Sequence, residues 1–148
     1  KAVAWVTDND AAGRVFLPSK YELVQDAVAA GEHTWQFPNG SPSKYVQRMV
    51  FDESAAMIEE IRVKRGARTI HTITRASLDY ANQRYGKLKL QNGFCVLDFT
   101  LFGFGSRFGG AINTAGLSFE FQVDSAGAIK TYIEGFDQVA PMPTATAG

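Results

Sequence analysis

The stretch Leu117-Ser118-Phe119-Glu120-Phe121-Gln122-Val123, followed by Asp124-Ser125-Ala126-Gly127 and residues 129–136 (IKTYIEGF), decides the fold class. Apolar and polar side chains alternate from Leu117 to Val123, the period of a strand with one buried face. Asp124 to Gly127 are turn formers. Residues 129–136 return to a strand pattern, so the two runs predict an antiparallel hairpin. Just upstream, residues 94–104 (FCVLDFTLFGF) predict a further, long strand. The C-terminal third therefore reads as antiparallel sheet.

The chain has 148 residues and a mass of 16.2 kDa, enough for one domain with a core that needs no staple. Its 45% hydrophobic content excludes a disordered chain. A single cysteine, Cys95, excludes an internal disulfide framework and a Cys-clustered zinc site. No HxH or HExxH pattern points to a metal, and no motif calls for a cofactor. No apolar run is long enough to span a bilayer. The 15 basic and 15 acidic side chains cancel, which argues against a general nucleic-acid partner.

Neither the charge nor the aromatic content is evenly spread. Residues 93–136 hold eight of the 11 Phe and eight of the 14 Gly, with Arg107 and Lys130 as their bases. Residues 59–89 carry eight bases against three acids, interleaved with Tyr80 and Tyr85. Bases among aromatics are the ingredients of a single-strand-binding surface. A solvated face balanced by acids elsewhere is the plainer reading.

Further toward the N-terminus, residues 2–7 (AVAWVT) and 13–17 are strand candidates. Ser19 and Glu22 fit a capping box, Leu23, Val24, Ala27 and Val28 recur at helical spacing, and Gly31 supplies a left-handed stop. These features predict a helix over 19–30. Residues 37–43 form a turn-rich loop, 45–52 a strand, and 55–61 a short helix capped by Ser54. From Glu59 to Thr74 a hairpin and a helix fit equally. Residues 78–85 predict a short helix ended by Gly86. The expected architecture is α+β: a strongly curved antiparallel sheet, cone or barrel-like, packed with one to three helices. Residues 1–140 are expected as one domain and 141–148 as an extended tail.

Asp98 is the most informative polar residue. Parity along 94–104 places it with Phe94, Val96, Phe102 and Phe104 on one face of the strand. A carboxyl among apolar rings has a raised pKa and suits acid/base work. The alternative is a solvated Asp98, or one paired with Arg107 or Lys130. His71 lies among β-branched residues, and no spacing shows it an acidic partner. Cys95 reads as a buried, inert thiol. The glycines of 103–110 (GFGSRFGG) follow a strand but open no helix, so they fail as a dinucleotide loop. Arg107 at that tip is a candidate for an anionic ligand group.

The run Val96-Leu97-Asp98-Phe99-Thr100-Leu101, Thr114-Ala115-Gly116, the strand from Leu117, the Asp124 turn and the segment 129–137 resembles the closing strands of the ketosteroid isomerase and polyketide cyclase-like superfamily, the nuclear-transport-factor-like cone. That resemblance implies a curled sheet around a deep apolar pocket. It implies Asp98, His71, Tyr80 and Tyr132 as catalytic candidates, with Phe94, Phe102, Phe104 and Arg107 binding a small hydrophobic molecule. The expected function is then an apolar-ligand pocket protein, an isomerase-, cyclase- or dehydratase-like enzyme. The alternative is a non-catalytic structural subunit of a homo-oligomeric assembly, of the capsid, tail or filament type. It follows from the neutral charge and the absent motif, and it implies self-association.

Overall fold

The computed structural model describes residues 15–101 and 110–139. The chain order is β1 (Val15–Ala27), β2 (Gly31–Gln36), β3 (Lys44–Asp52), β4 (Ile58–Arg65), β5 (Arg68–Thr74), α1 (Arg75–Arg84), β6 (Phe94–Asp98), β7 (Ile112–Asn113), β8 (Leu117–Val123) and β9 (Gly127–Val139). The strands form two antiparallel sheets. One has the order β1-β9-β3-β6, with β7 also paired to β3; the other has the order β2-β8-β4-β5. The chain changes sheet at β1/β2, β2/β3, β3/β4, β5/β6, β7/β8 and β8/β9. This is the eight-stranded jelly-roll connectivity, with the two-residue β7 as an addition.

The α+β expectation is corrected by this arrangement. The described residues are mostly strand, with α1 their one helix, and the two sheets face each other instead of curling into a cone. Strand alternation makes each sheet apolar on one side, and two such sides exclude water only by meeting. Cys95, Leu97 and Phe99 form the buried side of the β6 segment, and Phe94, Val96 and Asp98 the outer side. The expected pocket is therefore a solid core. Phe51, Phe99, Phe119 and Phe121 are among its largest fully buried side chains. Phe51 of the first sheet meets Phe121 of the second edge-on at 5.3 Å between centroids, and Trp35 lies 4.4 Å from Phe121.

The quoted stretch is legible as two strands but not as a hairpin. β8 and β9 exist, yet they belong to different sheets: β8 pairs with β2 and β4, β9 with β1 and β3. Asp124 to Ala126 carry the chain across the edge of the sandwich. Asp124 accepts the Met57 N–H at 2.8 Å, which ties this crossing to the one between β3 and β4.

The expected helix over 19–30 is strand β1. Its residues pair with β9 without a register shift from Val15↔Val139 to Ala27↔Gly127. That long ladder overrides a local capping box and an apolar spacing that an edge strand, exposed on much of both sides, imitates. Gly31 does hold a positive φ of 124°, but it starts β2 instead of ending a helix. The expected helix over 55–61 is replaced by a bend and by β4, which begins at Ile58. The open choice at 59–74 resolves as a hairpin, β4 and β5, turning at Gly66 with φ 58°. α1 begins three residues before the expected 78–85, because the Thr74 side chain accepts the Ser77 N–H at the cap. The long strand over 94–104 ends at Asp98, followed by a turn. Residues 2–7, 102–109 and 141–148 lie outside the described residues.

β9 crosses β3 closely. A Cβ added to Gly135 would sit 1.9 Å from the Tyr45 carbonyl oxygen, beside the register shift between Val46 and Arg48. Only glycine permits that approach.

The inter-sheet ring cluster gives a direct test. Phe121→Ala should lower the unfolding free energy by about 3–5 kcal/mol, and Phe121→Leu by distinctly less. Urea denaturation followed by tryptophan fluorescence measures both; equal, small losses would contradict a filled core.

Candidate functional site

Asp98, Tyr132 and Phe94 fall on the outer face of the first sheet. His71 lies on β5 of the second sheet, and Tyr80 on α1. The fold thus gathers three of the candidates on one surface and leaves two elsewhere. Phe102, Phe104 and Arg107 lie outside the described residues.

Asp98 ends β6, opposite Arg48 of β3. Arg48 donates to Asp98 Oδ2 from Nε at 3.0 Å and from Nη2 at 2.8 Å. Asp98 Oδ1 accepts from the Thr100 N–H at 2.9 Å and from its hydroxyl at 2.6 Å. Both oxygens are thus committed to holding the turn after β6, and the side chain is 4% exposed. The partner is Arg48, not Lys130. Register places Lys20, Glu134, Arg48 and Asp98 in one row across four strands. Lys20 reaches Glu134 at 2.8 Å, and Arg48 reaches the other Glu134 oxygen at 3.7 Å. Tyr132 stands one row along, with Lys130 Nζ 5.8 Å from its ring centre and paired at 3.0 Å with Glu22.

Tyr80 is exposed and meets Tyr85 edge-on at 6.4 Å. Burial pushes the His71 imidazole below its usual pKa, which favours the neutral ring. Burial also pushes the Cys95 thiol up, so it is a poor nucleophile. Phe94 borders a shallow recess of ≈ 290 Å³ with Val50, Leu88, Leu90 and Val96. Nothing there pairs an acid with a base. Among the described residues no three His, Cys, Asp or Glu side chains come together to hold a metal.

The outer face of the second sheet is also an ion-pair network. Arg62 bonds Glu32 at 2.6 Å and Glu60 at 2.7 Å, and Lys64 pairs with Glu120. Arg65 donates to the Asn113 and Ala115 carbonyl oxygens. The basic stretch over 59–89 is thus partly spent on neighbouring acids and backbone, as Arg62, Lys64, Arg65 and Arg75 show.

One cluster escaped sequence reasoning. Glu53, 3% exposed at its side chain, accepts the Ile58 N–H at 2.8 Å and pairs with Arg75. Arg75 also bonds both oxygens of Asp79 at 3.0 Å and the Phe94 carbonyl at 3.0 Å. Asn82, fully buried, donates to the Val96 carbonyl at 2.7 Å. Together Arg75 and Asn82 seat α1 against the outer edge of β6 and satisfy two of its carbonyls. The Arg75/Asp79 spacing of four was visible in the sequence; the reach to Glu53 and β6 was not.

The class defined by these observations is a jelly-roll β-sandwich domain with a filled interior and ion-paired outer faces. The family model for the viral coat protein P2 C-terminal domain matches residues 17–139. The chain belongs to that family. Its fold is similar to the crystal structure of the major capsid protein P2 from Bacteriophage PM2, with a TM-score of 0.63 and 10% identity over 86% of this chain and 46% of that one. It is also similar to a chain in the atomic structure of Sulfolobus Turreted Icosahedral Virus, with a TM-score of 0.62 and 12% identity over 82% of this chain and 39% of that one. At those identities the likeness is one of fold. The chain spans less than half the length of either solved chain. No curated protein sequence matches it significantly.

These findings overturn the resemblance to the ketosteroid isomerase-like superfamily, and with it the isomerase- and cyclase-like reading. The shared features, alternating strands and an Asp/Gly turn, are common to antiparallel sheets of both folds. A small hydrophobic molecule as partner has no support. No helix among the described residues is long and apolar enough to cross a membrane.

Burial holds the Glu53 carboxyl above its ordinary value of 4.5, with the Ile58 amide and Arg75 offsetting only part of the shift. Between 4.5 and the raised value the folded chain keeps a proton that the unfolded chain has lost. Stability from this group is therefore greatest at acid pH and falls as pH rises through that interval. Subtracting the unfolding free energy of Glu53→Gln, which cannot titrate, isolates the slope. Denaturation at a series of pH values should show the wild-type-minus-variant difference falling across the interval and then flattening; a rise would contradict the assignment.

Proposed function

We propose that this chain is a structural domain of a viral coat protein, a wall element that works by packing against copies of itself in a capsid shell. The observation that carries the reading is the family match over residues 17–139, which runs through every strand of the sandwich. The geometry is consistent with a mechanical role. A filled apolar interior is close-packed and nearly incompressible. The candidate acid Asp98 has its oxygens committed to Arg48 and Thr100, which favours a role in holding the turn over one in moving protons.

Cross-strand ion pairs fit the same role. Each exposed pair contributes little to stability, about 0–1 kcal/mol. Their effect is on specificity: a face whose charges are already paired adheres poorly to arbitrary partners, and contact is left to chosen patches.

The full-length coat protein that contains this domain tests the reading. Under assembly conditions it should form capsomers or shells, visible by negative-stain electron microscopy and as discrete large species in sedimentation velocity. A full-length protein that stays monomeric throughout, or that turns over isomerase or cyclase substrates in an Asp98-dependent way, would overturn it.

A further inference from the structure

We propose that the free edge of β1 is a two-fold contact between two copies of this chain, in which the two β1 strands pair antiparallel about Tyr21. The proposal goes beyond the coat-protein reading, because it names the surface and the register of one contact.

Backbone direction identifies the free edge. Gln138 donates its N–H to the Ser43 carbonyl at 2.7 Å, so the even-numbered backbone groups of β9 point away from β1 and toward the β3 side. Backbone groups alternate along a strand. The odd-numbered Asp137, Gly135, Ile133 and Thr131 therefore face β1, and their register partners Leu17, Ser19, Tyr21 and Leu23 bond them. Pro18, Lys20, Glu22 and Val24 turn their backbone groups outward. Pro18 fits this assignment, because its missing N–H costs the β9 ladder nothing.

That edge is long and straight. β1 has 13 residues and no register shift against β9, its one strand partner among the described residues. Its side chains also leave apolar surface in water: Leu17 is 51% exposed and Val24 59%. The opposite edge of the same sheet is treated differently. There α1 covers β6, with Asn82 on the Val96 carbonyl and Arg75 on the Phe94 carbonyl. A long, partly apolar edge with no cover among the described residues is a template for another strand.

The edge is self-complementary when two copies pair about Tyr21. Pairing about Tyr21 sets Lys20 opposite Glu22 of the second copy, and Glu22 opposite its Lys20. It sets Val24 against the Pro18 ring and Tyr21 against Tyr21. Pro18 and Lys20 are the residue types that ordinarily guard an edge; here Lys20 meets Glu22, while Pro18 has no N–H for the opposed Val24 carbonyl, so the ladder runs with that one bond missing at each end. A two-fold about residue 20 would oppose lysines, and one about residue 22 would oppose glutamates, both unfavourable. The charge row of the outer face then runs on across the junction. Lys20 already holds Glu134, and Glu22 already holds Lys130.

Charge exchange and cross-linking in the full chain test the contact. Sedimentation equilibrium should show a concentration-dependent dimer. Lys20→Glu and Glu22→Lys should each weaken it at least about tenfold, and the double exchange should restore it, because the opposed pair is rebuilt. Thermal melts of the same variants confirm folding, since the Lys20 and Glu22 side chains are 75% and 44% exposed. Mild oxidation should join Tyr21→Cys to itself, whereas Val24→Cys alone should stay unlinked and should link to Pro18→Cys when the two are mixed. A wild type monomeric at every concentration, single charge variants that dimerise normally, or a double exchange that fails to restore pairing would each overturn the proposal. Shell formation by full-length protein carrying Lys20→Glu would leave the coat-protein reading standing while this contact fails.

Discussion

Everything in the molecule depends on the contact between the two sheets, where Phe51, Phe121 and Trp35 close the interior. Neither sheet is stable alone, since each has one apolar face that must leave water. The rings supply area, and their tilted and edge-on geometry fixes how the sheets sit: Trp35 with Phe121 at 59° between planes, Phe51 with Phe121 at 68°. Among the described residues the same contact fills the space between the sheets that a ligand cavity would need. A jelly roll encloses a pocket only where its inner side chains are small or its sheets splay. Here Met49, Ile61, Leu97 and Ile133 fill the remaining space around the rings.

Much of this was legible along the chain, but only at the scale of single strands. Leu117 to Val123 alternates because β8 is a central strand with one side in the core, and that period survives any change of partner. Which strand it pairs with leaves no mark on its own residues. The Asp124 turn looks the same whether it reverses a hairpin or crosses between sheets, and so β8 and β9 read as neighbours. β1 failed for a different reason. An edge strand bears a weak alternation, and Ser19, Glu22, Leu23 and Ala27 happen to satisfy a helical template. Only the distant β9 decides against it.

The site candidates turned on a choice of face that the sequence left open. Parity along residues 94–98 separated Cys95 and Leu97 from Phe94, Val96 and Asp98 correctly, but parity cannot say which side is inside. The acid was legible as unusual, and it is: it lies buried at the end of β6. Its partner Arg48 sits 50 residues earlier in the chain, where no spacing rule connects them. The Glu53–Arg75 pair is hidden in the same way. Long-range ion pairs in a β-sandwich are products of topology, and topology is the quantity a single sequence leaves most open.

The treatment of edges follows from the same topology. A sandwich of two open sheets has four edges, each with backbone groups that must be bonded, wetted or covered. The first sheet shows two solutions at its two ends. At β6 the helix α1 stands over the strand, and its buried Asn82 and clamped Arg75 replace the missing neighbour. At β1 no such cover stands among the described residues; the strand keeps Pro18 and charges beside exposed Leu17 and Val24. If closing an edge were needed only to prevent aggregation, both ends would gain equally from a cover. The asymmetry makes sense when one end is finished within the domain and the other is finished by association. On the proposed coat-protein reading that division is useful, because a unit sealed on every side builds nothing, and one open on every side has no control over its partners.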